Sequence, residues 1–244
     1  MKAIAAISNI ARQLACAGIR PEVCSGFLRI PKDNQRERNS FLKGTQDAGK
    51  YLNLNIDNLS FEIREDVPHG EFLAAGIYTR NELLPNTFGS KDFFISMLGS
   101  HRGELGGSRY LHLLNQENKG NRPVVDLLME SRLQEAVLTG IHGGLIQSAR
   151  AIGRGGVALA IAKSFEKKSN LGARIHFSRK LKSEELLFGE TQGLVLVTIK
   201  ENDLMEFERI CMAIGVPATT IGRVTDDGFY TFNKSIKLPV KKLN

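Results

Sequence analysis

The stretch Asp92 to Leu98 sets the architecture. Phe93, Phe94, Ile95, Met97 and Leu98 put apolar side chains at nearly every position of a short segment, and such a run reads as a strand buried in a core rather than one lying on a surface. The glycine-rich segment Gly99 to Ser108 follows it. Pro123 to Ser148 carries apolar residues at intervals of three and four (Val124, Leu127, Leu128, Leu133, Val137, Leu138, Ile141) and is predicted helical, with His142-Gly143-Gly144 as its breaker. Val157 to Phe165 and Glu201 to Ile214 are further helical stretches; in the second, Leu204, Phe207, Ile210 and Cys211 share a face and Gly215 to Pro217 turns the chain. Arg174 to Phe177, Gly193 to Ile199 and Thr219 to Val224 read as strands. Asp226-Asp227-Gly228 is read as a hairpin turn leading into Phe229 to Phe232. Helices interspersed with strands predict an α+β or α/β layered fold.

The earlier part of the chain alternates in the same way. Ile4, Ile7, Ile10, Ala11 and Leu14 have helical spacing, closed by Gly18 with Pro21 beyond. Glu22 to Ile30 is strand-like, Pro31 to Glu37 loop-like, and Asn39 to Leu52 helical with Phe41, Leu42, Ala48 and Leu52 on one side. Leu54 to Phe61 is a short strand or a turn, and Glu71 to Tyr78 a strand. Thr79 to Lys91, with Pro85, Asn86 and Gly89, is the natural boundary, so two domains are expected, 1–85 and 86–244. No repeat or low-complexity tract appears.

Composition narrows the class. The chain has 244 residues, 42% hydrophobic and 24% charged, enough to bury a core. No apolar run approaches the ~18 residues of a membrane span. Met1 to Gly18 holds Asn9, Arg12 and Gln13, so it reads as an amphipathic helix and not a secretory signal. Cys16, Cys24 and Cys211 lack zinc spacing and are expected as buried, reduced thiols in a cytoplasmic protein. The net charge of +7 admits nucleic acid or phosphate-bearing small molecules. The cations are scattered, apart from small clusters such as Arg179, Lys180 and Lys182, and no basic–aromatic interleaving accompanies them, which argues against nucleic acid.

Three segments narrow it further: Gly103-Glu104-Leu105-Gly106-Gly107-Ser108-Arg109-Tyr110-Leu111; Gly144-Leu145-Ile146-Gln147-Ser148-Ala149 followed by Gly155-Gly156-Val157-Ala158-Leu159-Ala160; and Leu187-Phe188-Gly189-Glu190-Thr191-Gln192-Gly193 followed by Gly215-Val216-Pro217-Ala218 and Ile221-Gly222-Arg223-Val224-Thr225. In order and spacing these resemble the distal part of the phosphoribosylformylglycinamidine synthase family, within the aminoimidazole ribonucleotide synthase-like superfamily. Asn9 to Gly18 and Asn58-Leu59-Ser60 resemble the preceding domain of that family less tightly. The resemblance implies a partial N-terminal-type and a complete C-terminal-type domain of this superfamily.

What the resemblance implies is an ATP-driven conversion of an amide to an amidine in purine biosynthesis, with ATP and Mg2+ as cofactors. Asn58 stands where the family contacts magnesium and Ser60 where it contacts substrate. Asp57, Gly106, Gly107, Gly155 and Gly156 are the ATP- or phosphate-binding candidates; no catalytic residue is assigned. By their chemistry alone, Gly103 to Ser108 either presents N–H groups to a phosphate or makes a tight strand-to-helix connection. Gly155-Gly156 either meets an anion, with Arg150 and Arg154 adding charge, or lets helices pack closely. Glu190 is either a ligand or a partner for backbone donors, the latter being favoured. The sequence also departs from the family. Arg150, Ala151 and Arg154 replace a His-Asp and a following Asp; Ser25-Gly26-Phe27-Leu28 replaces Asp-Cys-Leu-Asn; Asp57 replaces Gly; and Ile63-Arg64 replaces Asn-Glu, with Glu62 and Glu65 close by. No glutaminase signature is present, so a glutaminase subunit and an upstream synthase half or chain are the expected partners, a homodimer being a further expectation. The competing readings are a non-catalytic scaffold or regulatory relative and a basic nucleic-acid-binding module.

Overall fold

Val195-Leu196-Val197-Thr198-Ile199 is buried at every position. Leu196 joins one apolar core while Val195, Val197 and Ile199 join another. Alternate side chains of a strand point to opposite faces, so this strand lies in a sheet covered on both sides. The computed structural model describes residues 2–30, 35–63, 69–78, 82–116, 119–166, 169–177, 180–233 and 235–243. Along the chain its elements are α1 (Lys2–Cys16), β1 (Val23–Ile30), α2 (Gln35–Leu52), β2 (Asn55–Ile63), β3 (His69–Ala75), β4 (Phe94–Leu98), α3 (Arg109–Leu113), α4 (Leu127–His142), β5 (Ile146–Ala151), α5 (Gly156–Lys163), β6 (Gly172–Ile175), α6 (Ser183–Phe188), β7 (Val195–Ile199), α7 (Leu204–Ile214), β8 (Ala218–Thr225), β9 (Phe229–Phe232) and β10 (Ile236–Pro239). The arrangement is α+β.

The larger sheet has seven strands in the order β10-β9-β6-β8-β4-β7-β5. Every neighbouring pair is antiparallel except β6 with β9. Val157 and Ile161 of α5 and Leu186 and Leu187 of α6 pack on one face with Ile95, Met97 and Leu196. Leu133, Val137 and Ile141 of α4 and Phe207 and Cys211 of α7 pack on the other with Leu98, Val195 and Val197. The smaller sheet, β2-β1-β3, has β1 parallel to β2 and antiparallel to β3. Its inner residues Cys24 and Leu28 pack with Ile7 and Ala11 of α1 and with Phe41, Ala48 and Leu52 of α2. Helix α1 also packs against α4 and β5, and Cys16 belongs to the core of the larger sheet.

Several sequence expectations are corrected. The helix expected from Pro123 starts at Leu127, where the Asp126 side chain accepts the Met129 N–H at 3.0 Å. It ends at His142, and Ile146 to Ser148 belong to β5, which pairs with β7. Gln35 to Glu37 are the first turn of α2 and not a loop; positions 31–34 lie outside the described residues, as do Arg64, Glu65, Thr79 to Asn81 and Arg179. Asp226-Asp227-Gly228 is not a hairpin turn, because β8 and β9 flank β6 instead of pairing with each other. Gly172 at the start of β6 makes this passage possible: a Cβ there would stand 2.4 Å from Asp227 Oδ1 and 2.5 Å from Phe229 O. The sequence also gave no sign of α3, α6 or β10.

Candidate functional site

Asp57 and Asn58 sit on a bulge. Cys24 is opposite Ile56 and Gly26 opposite Leu59, so both residues face the single position Ser25. Asn58 takes φ 52°, a left-handed conformation that asparagine tolerates, and its side-chain amide donates to Asp57 Oδ2 at 3.1 Å. The bulge restores the strand phase, so that Leu59 and Phe61 pack inward against the Ala3–Leu28–Phe41 cluster. Asn58 and Ser60 line a shallow hollow of about 410 Å³ with Ser25, Phe27, Glu71 and Leu73. Leu73 is 71% exposed, so this sheet face carries an apolar side chain in solvent. Glu71 pairs with His69 at 2.8 Å, and Glu62 with Arg29 at 3.0 Å.

The glycine segments meet elsewhere, around the larger sheet. One carboxylate oxygen, Glu190 Oε1, accepts the Arg109 N–H at 2.8 Å and the Gly155 N–H at 2.9 Å. It therefore ties the start of α3 to the start of α5, which is the structural role favoured for Glu190 from sequence. The Gly106 N–H donates to Asn121 O at 2.9 Å and the Gly156 N–H to Gly153 O at 3.0 Å. Gly156 has φ 64°, and a Cβ there would stand 2.6 Å from Leu187 O and 2.7 Å from Gly189 O, so this glycine lets the α5 turn lie against the end of α6. Gly107 is exposed at φ 75° with open space beside it. The neighbouring loop is fixed by His101. The Gly103 N–H donates to its Nδ1 at 3.2 Å and its Nε2 lies 2.9 Å from Leu186 O, so Nε2 carries the proton. Thr191 Oγ1 accepts the Arg102 N–H at 3.2 Å.

A third location was only half visible in the sequence. A cleft of about 440 Å³ opens between α1 and the β5–α5 turn, lined among others by Asn9, Gln13, Arg150, Arg154 and Lys163. Arg150 donates to Asn86 O at 2.9 Å, Lys163 O at 2.7 Å and Ser164 Oγ at 3.0 Å. All its acceptors are neutral, and burial lowers its pKa from the ordinary arginine value. The place of Lys163 in this lining escaped sequence reasoning, because α5 alone does not show that it turns back to Asn86 and α1. Asn9 and Gln13, one helical turn apart, were the available signal for the α1 wall.

Behind the cleft lies a fully buried ion pair. Arg12 Nε meets Glu130 Oε1 at 2.8 Å, with both side chains at most 1% exposed. Arg12 also donates to Ile152 O at 3.2 Å, and Gln134 to Glu130 Oε1 at 3.0 Å. The pair joins α1 to α4. Among the described residues no group of three or more His, Cys, Asp or Glu side chains stands close enough to hold a metal ion. With Asp57 already accepting from Asn58, the described residues do not by themselves make a magnesium site.

Two covered sheet faces, a glycine-rich connection after β4 and an anion-bearing turn before α5 define an α+β synthase-like lobe. Residues 94–233 match the family described as AIR synthase related protein, C-terminal domain, and the chain belongs to that family. It is 36% identical over 137 residues to the phosphoribosylformylglycinamidine synthase subunit PurL of Symbiobacterium thermophilum, covering 55% of this chain and 18% of that protein. It is 29% identical over 231 residues to the subunit of the same name from a Thermoanaerobacter species, covering 90% of this chain and 31% of that protein. The chain thus spans about a third or less of the length of these relatives. Among solved structures it aligns with Thermotoga maritima PurL complexed with FGAR (TM-score 0.84, 21% identity, 99% of this chain, 42% of that one) and with ATP (TM-score 0.83, 20% identity, 99% and 40%). It aligns likewise with PurLQS from the same organism (TM-score 0.78, 20% identity, 99% and 41%). At these identities the structures show a shared fold. No helix among the described residues is long and apolar enough to cross a membrane.

Proposed function

We propose that this chain forms part of a phosphoribosylformylglycinamidine synthase, contributing one nucleotide-binding-type lobe and one C-terminal-type lobe to the ATP-dependent amidation of formylglycinamide ribonucleotide. The observation that carries the reading is the single alignment running through 90% of the chain, small sheet included, to a subunit of that name. In that reaction ATP phosphorylates the amide oxygen, ammonia adds to the carbon and phosphate leaves with the oxygen. In this reading the ammonia comes from a glutaminase subunit and the remaining lobes from further synthase polypeptide, as the PurLQS assembly of a relative suggests. Ser60 and Asn58 face the substrate and the nucleotide–metal from the open sheet face, Asp57 beside them. Magnesium would take its carboxylate ligands from the partner lobes, since among the described residues this chain supplies a neutral oxygen at Asn58 and no carboxylate cluster. Gly107, exposed with open space beside it, offers its backbone to a phosphate in the loop after β4, whereas Gly106, Gly155 and Gly156 shape turns.

The test is affinity capture of the tagged chain from its native cells with mass spectrometry, followed by an assay of glutamine-dependent amidine formation on the captured material. Recovery of synthase and glutaminase chains with activity, reduced about tenfold or more by Ser60→Ala or Asn58→Ala, is the expected result. Capture of the chain alone, or an assembly whose activity ignores both substitutions, would overturn it in favour of a non-catalytic relative.

A further inference from the structure

We propose that the cleft between α1 and the β5–α5 turn binds the phosphate group of a small anion directly through Arg154 and Lys163, without a divalent metal. Both side chains are exposed, both line the cleft, and neither has an ion-pair or hydrogen-bond partner among the described residues. Arg150 adds a third charge whose acceptors are all neutral oxygens. No carboxylate lines the cleft. Asn9 and Gln13 supply neutral donors from the facing wall, and the buried side chains of Cys16, Ala149 and Ala160 complete the lining. A volume of about 440 Å³ lies within the range of small-molecule sites.

The α5 N-terminus takes no part in the argument, because its Gly155 N–H is held by Glu190. The site rests on side chains. A guanidinium and an ammonium converging on a concave, carboxylate-free surface complement a phosphate group. The same lining repels a divalent cation, which needs acidic oxygen ligands. At the positions where the resembled family carries carboxylates, this chain has Ala151 and Arg154, and both line this cleft. The charge there has changed sign, and with it the preferred ligand. The inference depends on this lining alone and stands whether or not the chain takes part in amidine synthesis.

Calorimetric titration of the purified chain with inorganic pyrophosphate and with ATP, in EDTA and again in magnesium chloride, tests it. The expected result is saturable binding in EDTA that magnesium does not improve. Arg154→Glu and Lys163→Glu should each weaken it roughly tenfold or more, with circular dichroism and Tm unchanged. Arg209→Glu on α7, exposed and outside the cleft, should leave it intact. Tighter ATP binding would assign the phosphate to a nucleotide and equal binding to a free polyphosphate; either supports the site. Absence of binding in EDTA, binding that appears only with magnesium, or binding indifferent to both charge reversals would overturn it.

Discussion

Glu190 Oε1 accepts the Gly155 N–H at 2.9 Å, so the helix start at which a glycine pair suggests an anion already holds a carboxylate from the same chain. The same oxygen takes the Arg109 N–H at 2.8 Å. Two helix N-termini, each with unpaired N–H groups and a partial positive charge, are thereby joined through one side chain.

Replacing that carboxylate should separate the two turns. Glu190→Ala is expected to cost about 1.5–3 kcal/mol, the range for a hydrogen bond to a charged group, read from urea unfolding. Glu190→Gln keeps an acceptor without the charge and should fall between wild type and alanine. If alanine and glutamine unfold at the wild-type midpoint, the bridge is not a stabilising contact.

The Arg12–Glu130 pair makes a sharper claim. Its members lie on α1 and α4 and are fully buried, so removing one strands the other's charge. Glu130→Leu or Arg12→Met should cost about 3–5 kcal/mol, whereas the double substitution Arg12→Met with Glu130→Leu should cost less than either alone. A double-mutant cycle in urea measures the coupling, and additive losses would refute it.

The three thiols link stability to pH. Burial pushes Cys16 and Cys211 up to about 12 and Cys24 to about 11. An unfolded thiol ionises near ~8.5, so above that pH the unfolded chain releases protons that the native chain keeps. Stability is then full below ~8.5 and falls as pH rises toward the native values. Thermal midpoints measured from pH 7.5 to 10.5 should decline, with a shallower slope for Cys211→Ala. Ellman's reagent at pH 8 should leave the native thiols unreacted and find three after denaturation.

The elements legible in the sequence were those whose partners do not matter. The β4 and β7 runs announce buried strands by composition alone, α7 shows its Phe207–Cys211 face, and Gly18 ends α1 with φ 84°. What stayed hidden depends on what lies alongside. Ile146 to Ser148 continues a helical apolar pattern and becomes a strand because β7 offers an edge. Arg12, on an amphipathic helix, looks like a surface cation until Glu130, 118 positions away, is placed against it. Asn58 and Ser60 are singled out only by the resemblance, whereas Lys163 has no local signature because its cleft is assembled from α1, α5 and the segment around Asn86.

The misread hairpin yields the last prediction. Asp227 Oδ1 accepts from Thr225 Oγ1 at 2.8 Å and from Phe229 N at 3.1 Å, a side-chain-closed turn of the kind that ordinarily joins adjacent strands. Here it spans β6, whose Gly172 leaves no room for a side chain beneath it. Gly172→Ala should therefore cost about 1–3 kcal/mol through overpacking, and Asp227→Ala about 1 kcal/mol through the lost turn contacts. Because the alanine methyl at position 172 collides with the Asp227 carboxylate itself, removing that carboxylate relieves part of the clash. The double variant should be more stable than the sum of the single losses requires, by at least the ~0.5 kcal/mol that separates coupled from independent sites. Strict additivity in urea unfolding would mean that the strand passes under the turn without touching it.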